Sequence, residues 1–298
     1  MATSELETKI SQALVRLGVS DGGKILAMKP AGGGCISEAF VAETADAGKF
    51  FVKSHMSTPT MSRDECKAML QAEMDGLEAL RQTNAIRVPK PLHVGELANG
   101  AFLIIEYIAI RPLRDQRRFG RQLAEMHLFA GSDQFGFAKD NWIGSTPQVN
   151  GWHSSWVELL HRRLKYQFDL AQFTGDMNRM AKELLERLPE FFAGLDIKPS
   201  LVHGDLWSGN CGSDESGSPV IFDPAVYWGH HESELGIMRM FGGFTSEFYD
   251  AYHELIPKAP GFKRRIQIYE LYHAVNHYNL FGSGYLGQCQ SLLSRILD

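Results

Sequence analysis

The sequence predicts an α+β fold in two lobes. A small, strand-rich N-terminal lobe with one main helix spans residues 1–108, and a larger, mostly helical C-terminal lobe spans 109–298. Three observations predict it. Strand-like apolar runs gather before residue 109, around a glycine-rich segment and one long amphipathic stretch. Beyond that point the apolar residues recur every three or four positions, the period of a helix. At 298 residues the chain is long for one core and short for three, which suits one or two units.

Composition narrows the class. The hydrophobic fraction of 44% is ordinary for a globular protein, and the formal net charge of −5 offers no reason to expect a nucleic-acid partner. No apolar run approaches the ~20 residues that cross a bilayer, so no membrane partner is expected. The opening MATSELETKISQALVRL lacks a basic segment followed by an apolar one and carries acids early, unlike a secretory or organellar leader. A cytoplasmic location is the expectation; a plastid or other organelle would follow if a transit peptide had been trimmed. Cys35, Cys66, Cys211 and Cys289 show neither a CxxC pair nor zinc spacing and read as reduced thiols.

In chain order, Leu6, Ile10, Leu14 and Leu17 predict a short amphipathic helix over 5–17. A strand over Lys24–Met28 leads into Ala31-Gly32-Gly33-Gly34-Cys35-Ile36-Ser37. Three glycines in a row let the backbone approach a ligand closely, so a loop whose N–H groups cover phosphates is one reading and a flexible hairpin the other. The second strand, Lys49-Phe50-Phe51-Val52-Lys53, ends in a lysine suited to phosphate; the alternative is an edge lysine in water. Residues 64–82 read as a helix with the stripe Cys66, Met69, Leu70, Leu77 and Leu80. Glu73 lies four positions from both Met69 and Leu77, on that stripe or at its solvated margin. A carboxylate facing a core costs several kcal/mol unless it is paired, and Lys53 is the available partner.

After the extended Val88-Pro89-Lys90-Pro91 come strands at Leu92–Val94 and Phe102–Ile108. The second suits a hinge in which the backbone of Glu106, Tyr107 and Ile108 meets an adenine edge, or else it is a plain central strand. Helices are predicted over 115–130, 152–173, 176–193, 232–241, 245–254 and 263–280. Residues 131–151, rich in Gly, Ser, Asp, Asn and Pro, read as a long surface loop.

The chemistry concentrates in LVHGDLWSGN, residues 201–210. Asn210 follows Asp205 by five positions, and Val220-Ile221-Phe222 then ends in Asp223. Protein kinases use this arrangement: an Asp takes the proton of the attacking hydroxyl, an Asn five residues on holds magnesium, and a second acid ends a short apolar run. On this reading Asp205 is the base, Asn210 and Asp223 are Mg2+ ligands, and Lys53 with Glu73 orients the phosphates of ATP. Gly32, Gly33, Gly34 and Ser37 form the covering loop. The pattern departs from ordinary protein kinases. Ser37 replaces a third glycine, His203-Gly204-Asp205 replaces His-Arg-Asp, Asp223-Pro224-Ala225 replaces Asp-Phe-Gly, and no activation segment follows. A small-molecule hydroxyl is therefore the expected acceptor, as in the aminoglycoside and choline kinase superfamily. His273 and His277 stand four apart but without the glutamate of H-E-x-x-H, so they do not select a metal site.

HGDLWSGN at 203–210, Asp223-Pro224-Ala225, Tyr227-Trp228-Gly229-His230, Met240 to Phe244 and Asn276 to Gly282 together resemble the fructosamine kinase, or ketosamine 3-kinase, family. The likeness runs from about residue 28 onward and is closest to the plant and algal type. The resemblance implies a protein-kinase-like fold and ATP-dependent phosphorylation of the 3-hydroxyl of a ketosamine. The acceptor is a ribulosamine or fructosamine adduct on a lysine, free or in a protein, and the unstable 3-phosphate eliminates to release the amine. Trp207, two positions from the base, is the residue expected to stack on the sugar, or else to pack under the loop. Asn276 and His277 are expected in the same pocket. The resemblance also implies redox sensitivity at Cys35, including a disulfide-linked homodimer, against the plainer reading of a small residue that fits the loop. Two alternatives remain at this point: a kinase of another small alcohol, aminoglycoside- or choline-like, and a non-catalytic ATP-binding pseudokinase.

Overall fold

The alternation of side chains along two adjacent strands organises the N-terminal lobe. The computed structural model describes residues 2–32 and 37–298. Helix α1 (Ala2–Arg16) precedes strands β1 (Ile25–Ala31), β2 (Glu38–Thr44) and β3 (Lys49–Met56). Helix α2 (Arg63–Gln82) and strands β4 (Pro91–Leu97) and β5 (Gly100–Glu106) follow. The five strands form one antiparallel sheet in the order β1-β2-β3-β5-β4. Successive residues of a strand point to opposite faces. Phe50 and Val52 of β3, with Phe102 and Ile104 of β5, meet Leu6, Ile10 and Leu14 of α1. The opposite face carries Ala101, Leu103 and Ile105 against Cys66, Leu70, Leu77 and Leu80 of α2. Phe51, Lys53 and His55 share that second face and line the cleft between the lobes.

Strand β2 was not expected from the sequence, which reads directly from the glycine segment to Lys49. Its EAFVAET holds two alanines and two acids, so it lacks a clean apolar alternation. It is held because a strand pairs with it on each side. Helix α2 matches its expected bounds within a residue. Ser62 caps its N-terminus in a reciprocal pair with Glu65, and the expected stripe is buried.

The C-terminal lobe begins with α3 (Gln116–His127). Four short strands follow: β6 (Phe135–Phe137), β7 (Asn141–Ile143), β8 (Thr146–Gln148) and β9 (Gly151–His153). These strands correct the expectation of a surface loop over 131–151. Strands β7 and β8 form a hairpin, and β6 pairs with β9. The segment reads as a loop because its buried positions are polar. Asn141 donates to the carbonyl of Val226 at 2.7 Å, Gln148 donates to Asn141, and the Tyr272 hydroxyl donates to Gln148 at 2.8 Å. Buried polar groups satisfied in this way carry no hydrophobic signature.

Helices α4 (Trp156–Ala171) and α5 (Gly175–Arg187) come next, then strands β10 (Ser200–Val202), β11 (Cys211–Ser213), β12 (Pro219–Ile221) and β13 (Tyr227–Gly229). Helices α6 (Glu234–Phe241), α7 (Ser246–Leu255), α8 (Phe262–Phe281) and α9 (Leu286–Leu297) complete the lobe. Helix α4 starts later than predicted because β9 uses residues 151–153, and the helix predicted over 176–193 tightens into a 3-10 turn at Leu188–Phe192. Helix α9, absent from the sequence-based expectation, buries Cys289, Leu292, Leu293 and Ile296. Among the described residues, no helix is long and apolar enough to cross a membrane.

Candidate active site

Strand β10 pairs with β13 and delivers the chain into a turn at His203. Gly204 adopts φ +82°, and a Cβ there would lie 2.2 Å from the carbonyl oxygen of Ala225, so glycine is required on both counts. The His203 carbonyl accepts the Ala225 amide at 2.8 Å. Glu234, the buried first residue of α6, accepts the amide hydrogens of both His203 and Gly204. The buried His203 ring fixes its own tautomer. Nε2 donates to the Phe222 carbonyl at 2.9 Å, which leaves Nδ1 to accept the Asp205 amide at 3.3 Å. Burial first, against a compensating Glu234 charge, pushes this imidazole below its ordinary value.

Asp205 thus projects from a loop whose backbone is tied on three sides. Its carboxyl is held well above the usual carboxylate range, by burial first and then by the charges of Asp223 and Glu234. Asn210 links the two acids: its Nδ2 donates to the Asp205 carbonyl at 2.9 Å and to Asp205 Oδ2 at 3.2 Å, and lies 3.5 Å from the Asp223 carbonyl. The β11–β12 hairpin returns the chain, and the Phe222 amide donates to the Asn210 carbonyl at 3.1 Å. Asp223 then takes φ +59°, an uncommon conformation for a non-glycine residue.

Lys53 Nζ lies 2.6 Å from Glu73 Oε1 and 2.6 Å from Asp223 Oδ1. Burial opposes its charge, but the two carboxylates outweigh burial and hold the ammonium above its ordinary value. Glu73 moves the opposite way, toward its neutral form, because burial and the Asp223 charge exceed its share of one ammonium. Helix α2 reaches this place because Gly76 lies against Val226 and Pro224.

The cleft encloses about 1050 Å³. Gly32, Ser37, Lys53, Glu73, Asp205, Asn210 and Asp223 all line it, as do Glu106, Tyr107, Ile108, Trp207 and His277. Gly33, Gly34 and Cys35 lie outside the described residues. Glu106 is tied to the segment leading into β4 through its amide and its side chain. Its amide donates to the Lys90 carbonyl at 2.8 Å, and its carboxylate pairs with Arg87 at 2.8 Å and accepts the Lys90 amide. The Glu106 N–H is therefore not free for a base, while its carbonyl and the backbone of Tyr107 and Ile108 line the same stretch of the cleft. Asn210 and Asp223 fit the donor set of a hard divalent cation. Among the described residues, the hydrogen bonds of Asn210 use its Nδ2 and not its Oδ1, and Lys53 bonds Oδ1 of Asp223.

Part of the cleft lining is aromatic. The Trp207 ring folds over Gly209, where a Cβ would meet it at 2.2 Å, and stands 5.5 Å from Phe241. Phe241 is 5.1 Å from His277, which is 5.2 Å from Tyr285. Nδ1 of His277 donates to the His273 carbonyl at 2.8 Å, so Nε2 is an acceptor, and burial keeps the ring below its ordinary pKa. Asn276 lies beneath, accepting from Gln167 at 3.0 Å and donating to the Ile143 carbonyl at 3.4 Å.

Sequence reasoning missed Glu234, His55, Phe241 and Tyr285. His55 was within reach, since it sits two positions after Lys53 on one strand and must share its face. Glu234 also carried a signal, a carboxylate leading directly into the apolar run Leu235-Gly236-Ile237-Met238.

A strand-built lobe with a lysine–glutamate pair, set over a helical lobe with an Asp–Asn–Asp cluster, defines a kinase-like phosphotransferase. A sequence model of the fructosamine kinase family matches residues 8–298, and the chain belongs to that family. It is 46% identical over 281 residues to the chloroplastic protein-ribulosamine 3-kinase of Oryza sativa subsp. indica, covering 92% of this chain and 80% of that one. Its fold is similar to that of a Haemophilus somnus protein provisionally named fructosamine-3-kinase, with TM-score 0.86 and 25% identity over 100% of this chain and 99% of the other. Choline kinase LicA from Streptococcus pneumoniae shares the fold at TM-score 0.63 and 15% identity, with 95% and 99% of the chains covered.

Proposed function

We propose that this chain transfers the γ-phosphate of ATP to the 3-hydroxyl of a ketosamine, a ribulosamine or fructosamine adduct of an amine. The observation that carries the reading is the convergence of Asp205, Asn210, Asp223 and Lys53 in one cleft that Trp207, Phe241 and His277 also line. Asp205 orients the 3-hydroxyl and takes its proton as the new O–P bond forms and the bond to the β-phosphate oxygen breaks. Lys53, positioned by Glu73, faces the phosphates. Gly32 and Ser37 would face them, and the backbone of Glu106, Tyr107 and Ile108 would meet the base, since all five line the cleft. Asn210 and Asp223 would hold Mg2+, which when bound supplies positive charge against the triphosphate. Trp207 offers a ring face to the sugar, and His277 Nε2 offers an acceptor to a hydroxyl or ammonium hydrogen. The 3-phosphate product is unstable and eliminates, releasing the amine.

The aromatic wall favours this acceptor over an aminoglycoside. A polycation calls for several free carboxylates, whereas the acids lining the described cleft are Glu73, Glu106, Asp205 and Asp223, committed to the phosphate side, the hinge or the base.

Incubation with Mg2+, ATP and ribulosyl-, psicosyl- and fructosyl-lysine, with an aminoglycoside alongside, tests the proposal through ADP release. Turnover of a ketosamine is expected. ATP binding without turnover of any acceptor would favour a non-catalytic scaffold. The Cys35-linked homodimer is tested separately on non-reducing gels of wild type and Cys35→Ala, where a dimer band persisting in the variant would rule it out.

A further inference from the structure

Ser37 closes the glycine-rich segment, and its Oγ lies 2.8 Å from Nε2 of His55 on β3, 18 residues away in sequence. His55 is 5% exposed, stands two positions after Lys53, and lines the same phosphate side of the cleft. The pair therefore ties the exit of the loop to the strand that carries the phosphate-facing lysine. The imidazole is neutral near pH 7: burial first, then the Lys53 charge, push its pKa down to about 4. A neutral imidazole has one N–H, and a serine hydroxyl has one hydrogen to give. If Nε2 accepts that hydrogen, Ser37 has none left for a ligand. If Nε2 carries its own hydrogen, it donates to Oγ and the Ser37 hydrogen is free to turn into the cleft. Phosphate oxygens are acceptors, so only the second arrangement serves them.

We propose that His55 is a positioning residue for the nucleotide: its Nε2–H donates to Ser37 Oγ and directs the Ser37 hydroxyl hydrogen onto the triphosphate of ATP. The inference rests on the nucleotide reading of the cleft. It also explains why a side chain is found where a third glycine would otherwise end the loop. A serine there needs an anchor on the sheet, and His55 supplies it.

Affinities of Mg·ATP and of adenosine for the full chain, measured by calorimetry, test the assignment with Ser37→Ala, His55→Leu, His55→Gln and the Ser37→Ala/His55→Leu double variant. A hydrogen bond of this kind corresponds to a loss of roughly five- to tenfold. ATP affinity should fall by that factor in Ser37→Ala and His55→Leu, while adenosine, which has no phosphate, stays within about twofold of wild type. His55→Gln, whose amide reaches the place of Nε2, should recover most of the loss. The double variant should be no weaker than Ser37→Ala alone. Thermal melts check folding, and Ser37→Ala carries the test should His55→Leu fail to fold. The assignment is overturned if wild type binds ATP and either single variant binds it equally well, if ATP and adenosine weaken together, or if the two losses multiply. Wild type that binds ATP but turns over no ketosamine would remove the acceptor reading alone. Wild type that binds no ATP would remove both.

Discussion

The Lys53 ammonium lies 2.6 Å from the Asp223 carboxylate, so a strand of one lobe and the loop after β12 of the other hold each other across the cleft. The same ammonium also holds Glu73 of α2, so one cation serves both acids. Removing it in Lys53→Met leaves both carboxylates facing each other in a poorly solvated place. Stability should fall by up to about 3 kcal/mol in urea unfolding, and turnover by at least about a hundredfold. Adding Glu73→Leu should restore much of the stability and none of the turnover. A double variant as unstable as the single one would show that the ion pair is not the cause.

Asp205→Asn keeps the shape of the loop, since an amide oxygen still accepts from Asn210, but it cannot take a proton. Turnover should drop by about 10²–10⁴-fold with ATP affinity nearly unchanged. Steady-state rates with calorimetric ATP binding check this, and an unaltered rate would strip Asp205 of its role as base.

Glu234 never touches the cleft, yet it accepts two amide hydrogens of the turn that aims Asp205. Glu234→Ala strands two buried N–H groups at about 1–3 kcal/mol each, so both stability and turnover should fall. Glu234→Gln retains one acceptor oxygen and should lose less of each. Equal losses in the two variants would mean that bulk, and not hydrogen bonding, is what Glu234 supplies.

Gly76 is the point where α2 rests on the C-terminal lobe; a Cβ there would lie 3.1 Å from Cγ2 of Val226. Gly76→Leu should push the helix outward and draw Glu73 from Lys53, lowering turnover by roughly tenfold or more. Gly76→Ala should cost much less, and pairing it with Val226→Ala should recover activity. A fully active Gly76→Leu would show that the helix does not need this close approach.

His273 is buried on α8, and burial first, then the nearby His277 and Arg163, push its pKa to about 3 from an ordinary value of 6.5. Between those values the unfolded chain binds a proton that the folded chain does not. Its contribution is therefore fully present above pH 6.5 and is lost as pH falls toward 3, by up to roughly 1.4 kcal/mol per pH unit. His273→Leu removes that term. Unfolding free energies from pH 7 to 4.5 should fall more steeply in wild type than in the variant by about one proton, and parallel slopes would refute the assignment.

The sequence alone determined the parts of this protein that neighbours along the chain decide. The five-residue step from Asp205 to Asn210, the apolar run into Asp223, the apolar stripe of α2 and the strand that carries Lys53 are local patterns, and local sterics and periodicity suffice to read them. Tertiary structure alone decided the rest. The polar strands at 141–148 are strands because Val226 and Tyr272, far along the chain, satisfy them. Strand β2 is held by partners on both sides, Glu234 meets the turn at Gly204 30 residues away, and the Glu106 amide is taken by Lys90. In each case a polar group has many possible partners in sequence. Only the packed chain selects one, because a buried donor or acceptor must be matched by whatever group folding brings within reach.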